Sequence, residues 1–115
     1  MTTEDMIEEF IDLGMKAYKK LSGNSSEAMR LNRHEPIIVD NHEFSYWREY
    51  TVYKMAQYIH DILPQANITV ELEGNESTIQ VELDDMEQQK LNREMFLLLE
   101  KVNKKQTRVY NTVRG

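Results

Sequence analysis

The spacing of apolar residues predicts a helix at the start of the chain. Over residues 3–21, apolar positions recur every three or four residues and share one helical face. Acidic residues crowd the beginning of this segment and lysines its end, which complements the helix dipole. Gly23 is suited to end the helix, and a short second helix is expected over residues 27–33, before Pro36.

The middle of the chain predicts a short strand followed by a central amphipathic helix. Residues 37–39 form a β-branched run after Pro36, which favours a strand. From Ser45 to about Leu63 the spacing becomes helical, with an apolar face that includes Met55. The first turn of this segment could instead extend a strand through residues 44–50, and the pattern leaves both alternatives open.

Residues 67–83 give the clearest strand pattern, in which apolar and polar residues alternate on both sides of Gly74 and Asn75. This predicts an antiparallel β-hairpin with all of its apolar residues on one face, because a register slip of one residue would mix the two faces. A two-stranded hairpin is marginal alone, so we expect it to pair with the strand at residues 37–39.

The last segment predicts a long helix. Asp84 and Glu87 have the spacing of a capping box, in which each side chain accepts a hydrogen bond from the other residue's backbone. Apolar residues then recur with heptad-like spacing. We assign oligomerisation to four of them: Leu91, Met95, Leu98 and Val102. A helix ending near residue 109 is roughly 36 Å long, more than so small a domain covers. Either residues 104–115 form a basic flexible tail, or the helix packs on another copy or a partner.

Composition fits one α+β domain over residues 1–115. Hydrophobic residues make up 40% and charged residues 30%, which is ordinary for a folded domain. The chain has no cysteine, which excludes disulfides and thiolate metal ligands and fits a reducing compartment. The acidic N-terminus and the lack of a long apolar run predict a cytoplasmic protein without a membrane segment.

Charge is distributed unevenly. Residues 100–115 hold five basic residues against Glu100, a net charge of +4, so the rest carries −10 of the total of −6. An acidic body repels phosphates, so nucleic acid binding is expected only through the basic C-terminal end. A protein partner, in particular a basic one, is the favoured alternative.

Four aromatic residues form the first candidate binding site: Tyr46, Trp47, Tyr50 and Tyr53. On a helix, the three tyrosines lie in one stripe opposite the face that holds Val52, and the helix therefore has two apolar sides. The stripe either packs inside the chain or forms an interface, since tyrosine and tryptophan are enriched at binding hot spots.

Arg30, Arg33 and His34 form a basic group that, with Lys54, could bind a small anionic ligand. The alternative is ordinary ion pairing with nearby acidic residues.

Histidine and acidic residues suggest a weaker, metal-dependent alternative. Each histidine precedes an acidic residue, and Asp40, His42 and Glu43 are the set from which a metal-dependent enzyme would be built. Their spacing matches no metal motif, and the sequence has no catalytic signature. We therefore expect no cofactor, no metal and no enzymatic activity.

The leading hypothesis is a small non-enzymatic binding protein. It would act as a regulator or inhibitor by occupying a partner surface or sequestering a ligand, as accessory proteins of bacteriophages and mobile elements do. The alternative is a homo-oligomeric structural or assembly protein built through the C-terminal helix.

Overall fold

The computed structural model describes the backbone of residues 2–114 and the side chains of residues 2–100. Within this part the chain has four α-helices and two separate antiparallel sheets of two strands each, which confirms the α+β class, the N-terminal helix and the long C-terminal helix. The helices are α1 (Thr3–Ser22), α2 (Ser26–Asn32), α3 (Trp47–Ile62) and α4 (Asp85–Arg114). The strands are β1 (Ile37–Val39), β2 (His42–Phe44), β3 (Asn67–Glu71) and β4 (Thr78–Glu82).

Local side-chain chemistry sets the helix ends. Gly23 follows α1 with a φ of 57°, the positive value that glycine tolerates best. At the start of α4, the Asp84 backbone donates to the Glu87 carboxylate at 3.0 Å, and the Glu87 backbone donates to Asp84 at 2.8 Å. The predicted capping box is therefore confirmed.

The hairpin β3–β4 has the predicted face pattern. Ile68 pairs with Val81 and Val70 with Ile79, so the apolar residues of both strands share one face. The connection is a 3-10 turn, Gly74–Glu76, rather than a tight turn alone. The Ser77 hydroxyl closes it, accepting from the Glu73 backbone and donating to the Gly74 carbonyl, both at 2.8 Å.

The predicted pairing of this hairpin with the strand at residues 37–39 is wrong. β1 pairs instead with β2, with Ile37 opposite Phe44. Asp40 and Asn41, both at positive φ, make the tight turn between them. Aspartate and asparagine tolerate this conformation, and positive φ at both central residues suits a two-residue hairpin. Phe44 thus belongs to a strand, and α3 begins at Trp47.

The main core lies between α1, α3, α4 and the hairpin β3–β4. α1 and α3 approach closely at Gly14, where an added Cβ would lie 2.7 Å from the Met55 Sδ atom. Arg48 links three elements, because its guanidinium donates to the Ser77 carbonyl and to the Glu8 carboxylate, both at 2.6 Å. The fully buried members include Phe10, Ile11, Val52, Ile59 and Leu91.

A smaller second core lies at the other side of α3. Its buried members are Ala28, Leu31, Ile37, Phe44 and Trp47. They join α2 and the β1–β2 hairpin to the first half of α3. None of the helices in the described part of the chain combines the length and the apolar character needed to cross a membrane.

Candidate functional site

Side chains from three elements bring aromatic rings together above the second core. Four of these aromatic side chains are half-buried or exposed, and we call them together the aromatic surface. They are Tyr18 of α1, His42 of β2, and Tyr50 and Tyr53 of α3. Tyr50 meets Tyr18 edge to face with ring centroids 5.8 Å apart, and Tyr53 lies 5.0 Å from His42. Such tilted and edge contacts are the geometry that aromatic pairs prefer.

The four predicted aromatic residues divide between core and surface. Trp47 is 8% exposed, and its indole nitrogen donates to the Asn32 amide oxygen at 2.7 Å, so it is a core residue. Tyr50 and Tyr53 pack partly on the second core. Tyr46 lies apart from them, with its ring 4.6 Å from the ring of His34. The predicted tyrosine stripe therefore packs partly on the second core and is partly exposed to solvent.

Burial and nearby charges raise the pKa of the three tyrosines in the aromatic surface. Desolvation raises the pKa of Tyr18, and it also raises that of Tyr50, where the charges of Glu27 and Asp40 add to the effect. Desolvation and the Asp40 carboxylate raise the pKa of Tyr53, whose hydroxyl donates to Asp40 at 3.4 Å. At neutral pH, where a tyrosine of ordinary pKa also keeps its proton, all three hydroxyls can donate hydrogen bonds.

Two lysines of this chain lie over aromatic rings. The Lys54 ammonium is 5.8 Å from the centroid of Tyr50, and the Lys19 ammonium is 5.8 Å from that of Trp47. Both distances are within the range of a cation–π interaction. Sequence reasoning missed Lys19 because it reaches Trp47 only through the packing of α1 on α3.

The predicted basic group is divided between several contacts. The Arg30 Nε atom donates to the Pro36 carbonyl at 3.0 Å, which ties α2 to the segment before β1. Arg33 and His34 are exposed, and His34 has a φ of 59°. Lys54 lies over the ring of Tyr50. The anion site that these four residues would form stays a prediction.

Three of the four predicted oligomerisation residues pack on the main core of their own chain. Leu91 is 0% exposed, and Met95 and Leu98 are half-buried against the same cluster. The side chain of Val102 lies outside the described part of the chain, as do the side chains of the predicted tail at residues 104–115.

Neighbouring residues on α4 are instead exposed to solvent. Phe96 is 65% exposed, Leu97 48% and Leu99 43%. The consecutive apolar run was visible in the sequence, but which of its members would be covered was not.

The set of histidine and acidic residues from which a metal site could be built includes His42, which contacts the backbone of its own hairpin. The His42 Nδ1 atom lies 2.9 Å from the Asp40 carbonyl oxygen. Among the described residues, no group of three histidine or acidic side chains is arranged to hold a metal ion.

An open cleft of about 730 Å³ lies between the start of α1 and the hairpin β3–β4. Its acidic lining residues are Glu4, Glu8 and Glu82, and Thr3, Thr69 and Thr78 contribute hydroxyls. No local pattern indicates this cleft, because α1 and the hairpin are far apart in the chain.

Comparisons of this chain with protein-family models, with curated proteins and with solved structures gave no match. Two features of the molecule are therefore the candidate binding surfaces. One is the aromatic surface, and the other is the exposed apolar segment of α4.

Proposed function

We propose that this chain is a small, non-enzymatic, cytoplasmic binding protein that regulates or inhibits a partner protein by occupying its surface. The observation that carries the proposal is the arrangement of Tyr18, Tyr50 and Tyr53, three half-buried tyrosines held by ring contacts and by a core below. Tyrosines offer a large contact area and a hydrogen-bonding tip, and they are enriched among the residues that dominate binding energy.

Preorganisation supports this function. The Tyr50 ring contacts Tyr18, Phe44 and Trp47 at centroid distances of 5.8, 5.9 and 6.3 Å. These contacts restrict the ring before a partner arrives, so binding loses less side-chain entropy than it would with a freely rotating tyrosine. The underlying core thereby contributes to affinity as well as to stability.

Charge around the aromatic surface favours a protein partner over a free anion. Lys54 lies beside Tyr50, while Asp40 is close enough to raise the pKa of both Tyr50 and Tyr53. Charges of both signs suit the mixed charges of a protein surface, whereas an isolated phosphate would be repelled by Asp40. Sequestration of a small anionic ligand is therefore the weaker form of this proposal.

The test removes hydroxyls but keeps rings. Tagged wild-type protein and the double variant Tyr50→Phe with Tyr53→Phe are used for affinity capture from the native cell, followed by mass spectrometry. We expect wild type to enrich one protein in a fixed ratio and the double variant to lose about tenfold or more in affinity for that purified protein. Tyr58→Phe is the matched control, because Tyr58 lies in the same helix but packs on the main core.

Retained circular dichroism establishes that the double variant is folded. Equal capture by wild type and the double variant would contradict a role for the tyrosine hydroxyls. A small-molecule extract of the purified wild type tests the alternative form, in which the ligand is an anion rather than a protein.

A second function, homo-oligomeric assembly, is favoured by a different observation. Phe96, Leu97 and Leu99 expose apolar side chains on one short segment of α4. Contiguous exposed apolar residues on a folded protein are typical of association surfaces.

A further inference from the structure

The exposed apolar segment lies at the centre of α4. This helix has 30 residues, from Asp85 to Arg114, so it is about 45 Å long and its midpoint falls between residues 99 and 100. Leu98 contacts the main core, while Phe96, Leu97 and Leu99 leave their side chains exposed on other sides. The helix is therefore apolar on all sides close to its midpoint.

Opposite charges flank this centre. The chain is acidic where α4 begins, at Glu82, Asp84, Asp85 and Glu87. α1 adds Glu4 nearby, because the Gln88 amide contacts the Thr3 hydroxyl at 2.5 Å and Thr3 and Glu4 both line the acidic cleft. The other end of α4, over residues 100–115, carries a net charge of +4.

We propose that a second copy of this chain docks on α4, with the two helices antiparallel about a two-fold axis near residues 99 and 100. Phe96 and Leu99, which lie three residues apart and so share one face of α4, then meet the same segment of the second copy. Each basic helix end approaches the acidic start of the other α4, beside the cleft at Glu4. A parallel pair would instead place like charges together, which is unfavourable, and a two-fold contact closes at a dimer.

The dimer would display two aromatic surfaces. Of the described residues, those of the second core belong to α2, β1, β2 and α3, and α4 contributes none. Pairing through α4 therefore leaves both aromatic surfaces free, and a partner with two sites would gain affinity from bivalent contact. Dimerisation deepens the second proposed function, homo-oligomeric assembly, and does not depend on partner binding, whereas bivalent capture rests on the proposed partner binding.

The absence of cysteine makes a direct test of the geometry possible, since one introduced cysteine is the only thiol. Glu100→Cys places a thiol near the proposed axis, and we expect mild oxidation to give a covalent dimer. Met86→Cys is the matched control, because Met86 is 80% exposed on the same helix. In an antiparallel pair its two copies are roughly 40 Å apart along the helix. A disulfide needs Cα atoms within about 7 Å.

Sedimentation at micromolar concentration tests the contact itself. We expect a dimer for wild type and a dissociation constant raised about tenfold or more for Phe96→Glu with Leu99→Glu. Met29→Glu is the control and should change it little, because Met29 is 44% exposed on α2, away from α4. Added salt is expected to weaken the dimer, because the charges at the helix ends are exposed to solvent screening. Circular dichroism verifies that the variants are folded.

A wild-type chain that sediments as a monomer would overturn the proposal. Equal crosslinking of Met86→Cys and Glu100→Cys would overturn the antiparallel arrangement. Failure of the proposed partner binding is distinguishable from failure of the dimer. A monomer that still captures its partner would contradict only the proposed dimer. A dimer that captures no protein would contradict only the proposed partner binding.

Discussion

Tyr58 joins α3 to α4 through one hydrogen bond. Its hydroxyl donates to the Glu94 carboxylate at 2.5 Å, and its ring lies 6.0 Å from that of Phe10. Burial, followed by the hydrogen bond and the charge of Glu94, raises the pKa of Tyr58 to about 12 from an ordinary value of 10.0. The folded chain therefore holds this proton more tightly than the unfolded chain does.

The raised pKa predicts a pH-dependent loss of stability. The contribution of Tyr58 is fully present below pH 10.0 and is lost as the pH rises through about 12. We expect the free energy of unfolding of wild type to fall more steeply across this range than that of Tyr58→Phe. Urea unfolding at several pH values measures this, and tyrosinate absorbance should show that Glu94→Gln lowers the pKa of Tyr58. Parallel pH profiles for wild type and Tyr58→Phe would contradict the prediction.

At the scale of elements, Glu49 connects the beginning of α3 to the turn of the β3–β4 hairpin. One carboxylate oxygen accepts from the backbones of Ser45 and Tyr46 at 2.9 and 3.1 Å. The other oxygen accepts from the Gly74 backbone at 3.1 Å. A single side chain thus caps a helix and fixes the position of a turn 25 residues further along the chain.

Glu49→Gln is predicted to weaken both connections. The glutamine amide has one acceptor oxygen, and its NH₂ group would face a backbone N–H, so we expect a loss of about 1–3 kcal/mol in the free energy of unfolding. Urea unfolding measures the loss. Glu76→Gln is the matched control, since Glu76 lies in the same turn but is exposed. Equal stabilities of the two variants would show that the Glu49 contacts contribute little.

The whole molecule has two apolar cores of unequal size on opposite sides of α3. Among residues 2–100, whose side chains the structure describes, the main core has 11 buried residues and the second has 5. Tyr18 packs against both of them. Since local opening is easiest where fewer apolar contacts must be broken, α2 and the β1–β2 hairpin are expected to open before α1 and α3 do.

Native-state hydrogen exchange tests this order with two equal truncations. Ile37→Val removes one methylene from the second core, and Ile59→Val removes one from the main core; each should cost about 0.5–1.5 kcal/mol. We expect Ile37→Val to accelerate exchange mainly in α2 and the β1–β2 hairpin, and Ile59→Val to accelerate it in α1 and α3 as well. Identical exchange patterns for the two variants would indicate one cooperative unit instead.

The sequence by itself determined the features that depend on near neighbours in the chain. Gly23 ends α1, Asp84 and Glu87 cap α4, and alternation fixes the face pattern of β3 and β4. Each of these follows from residues within a few positions of one another, so a local pattern contains the information. The two apolar sides of α3 were predicted for the same reason.

Only the tertiary structure decided which partner each surface meets. It paired β1 with β2, buried Trp47 while leaving Tyr50 half-covered, and turned Leu91 inward while Phe96 faced solvent. The contact of Lys19 with Trp47 likewise depends on how α1 crosses α3. Burial is set by groups distant in sequence, and several pairings satisfy the same apolar pattern. The sequence therefore specifies which faces must be covered, whereas packing selects what covers them.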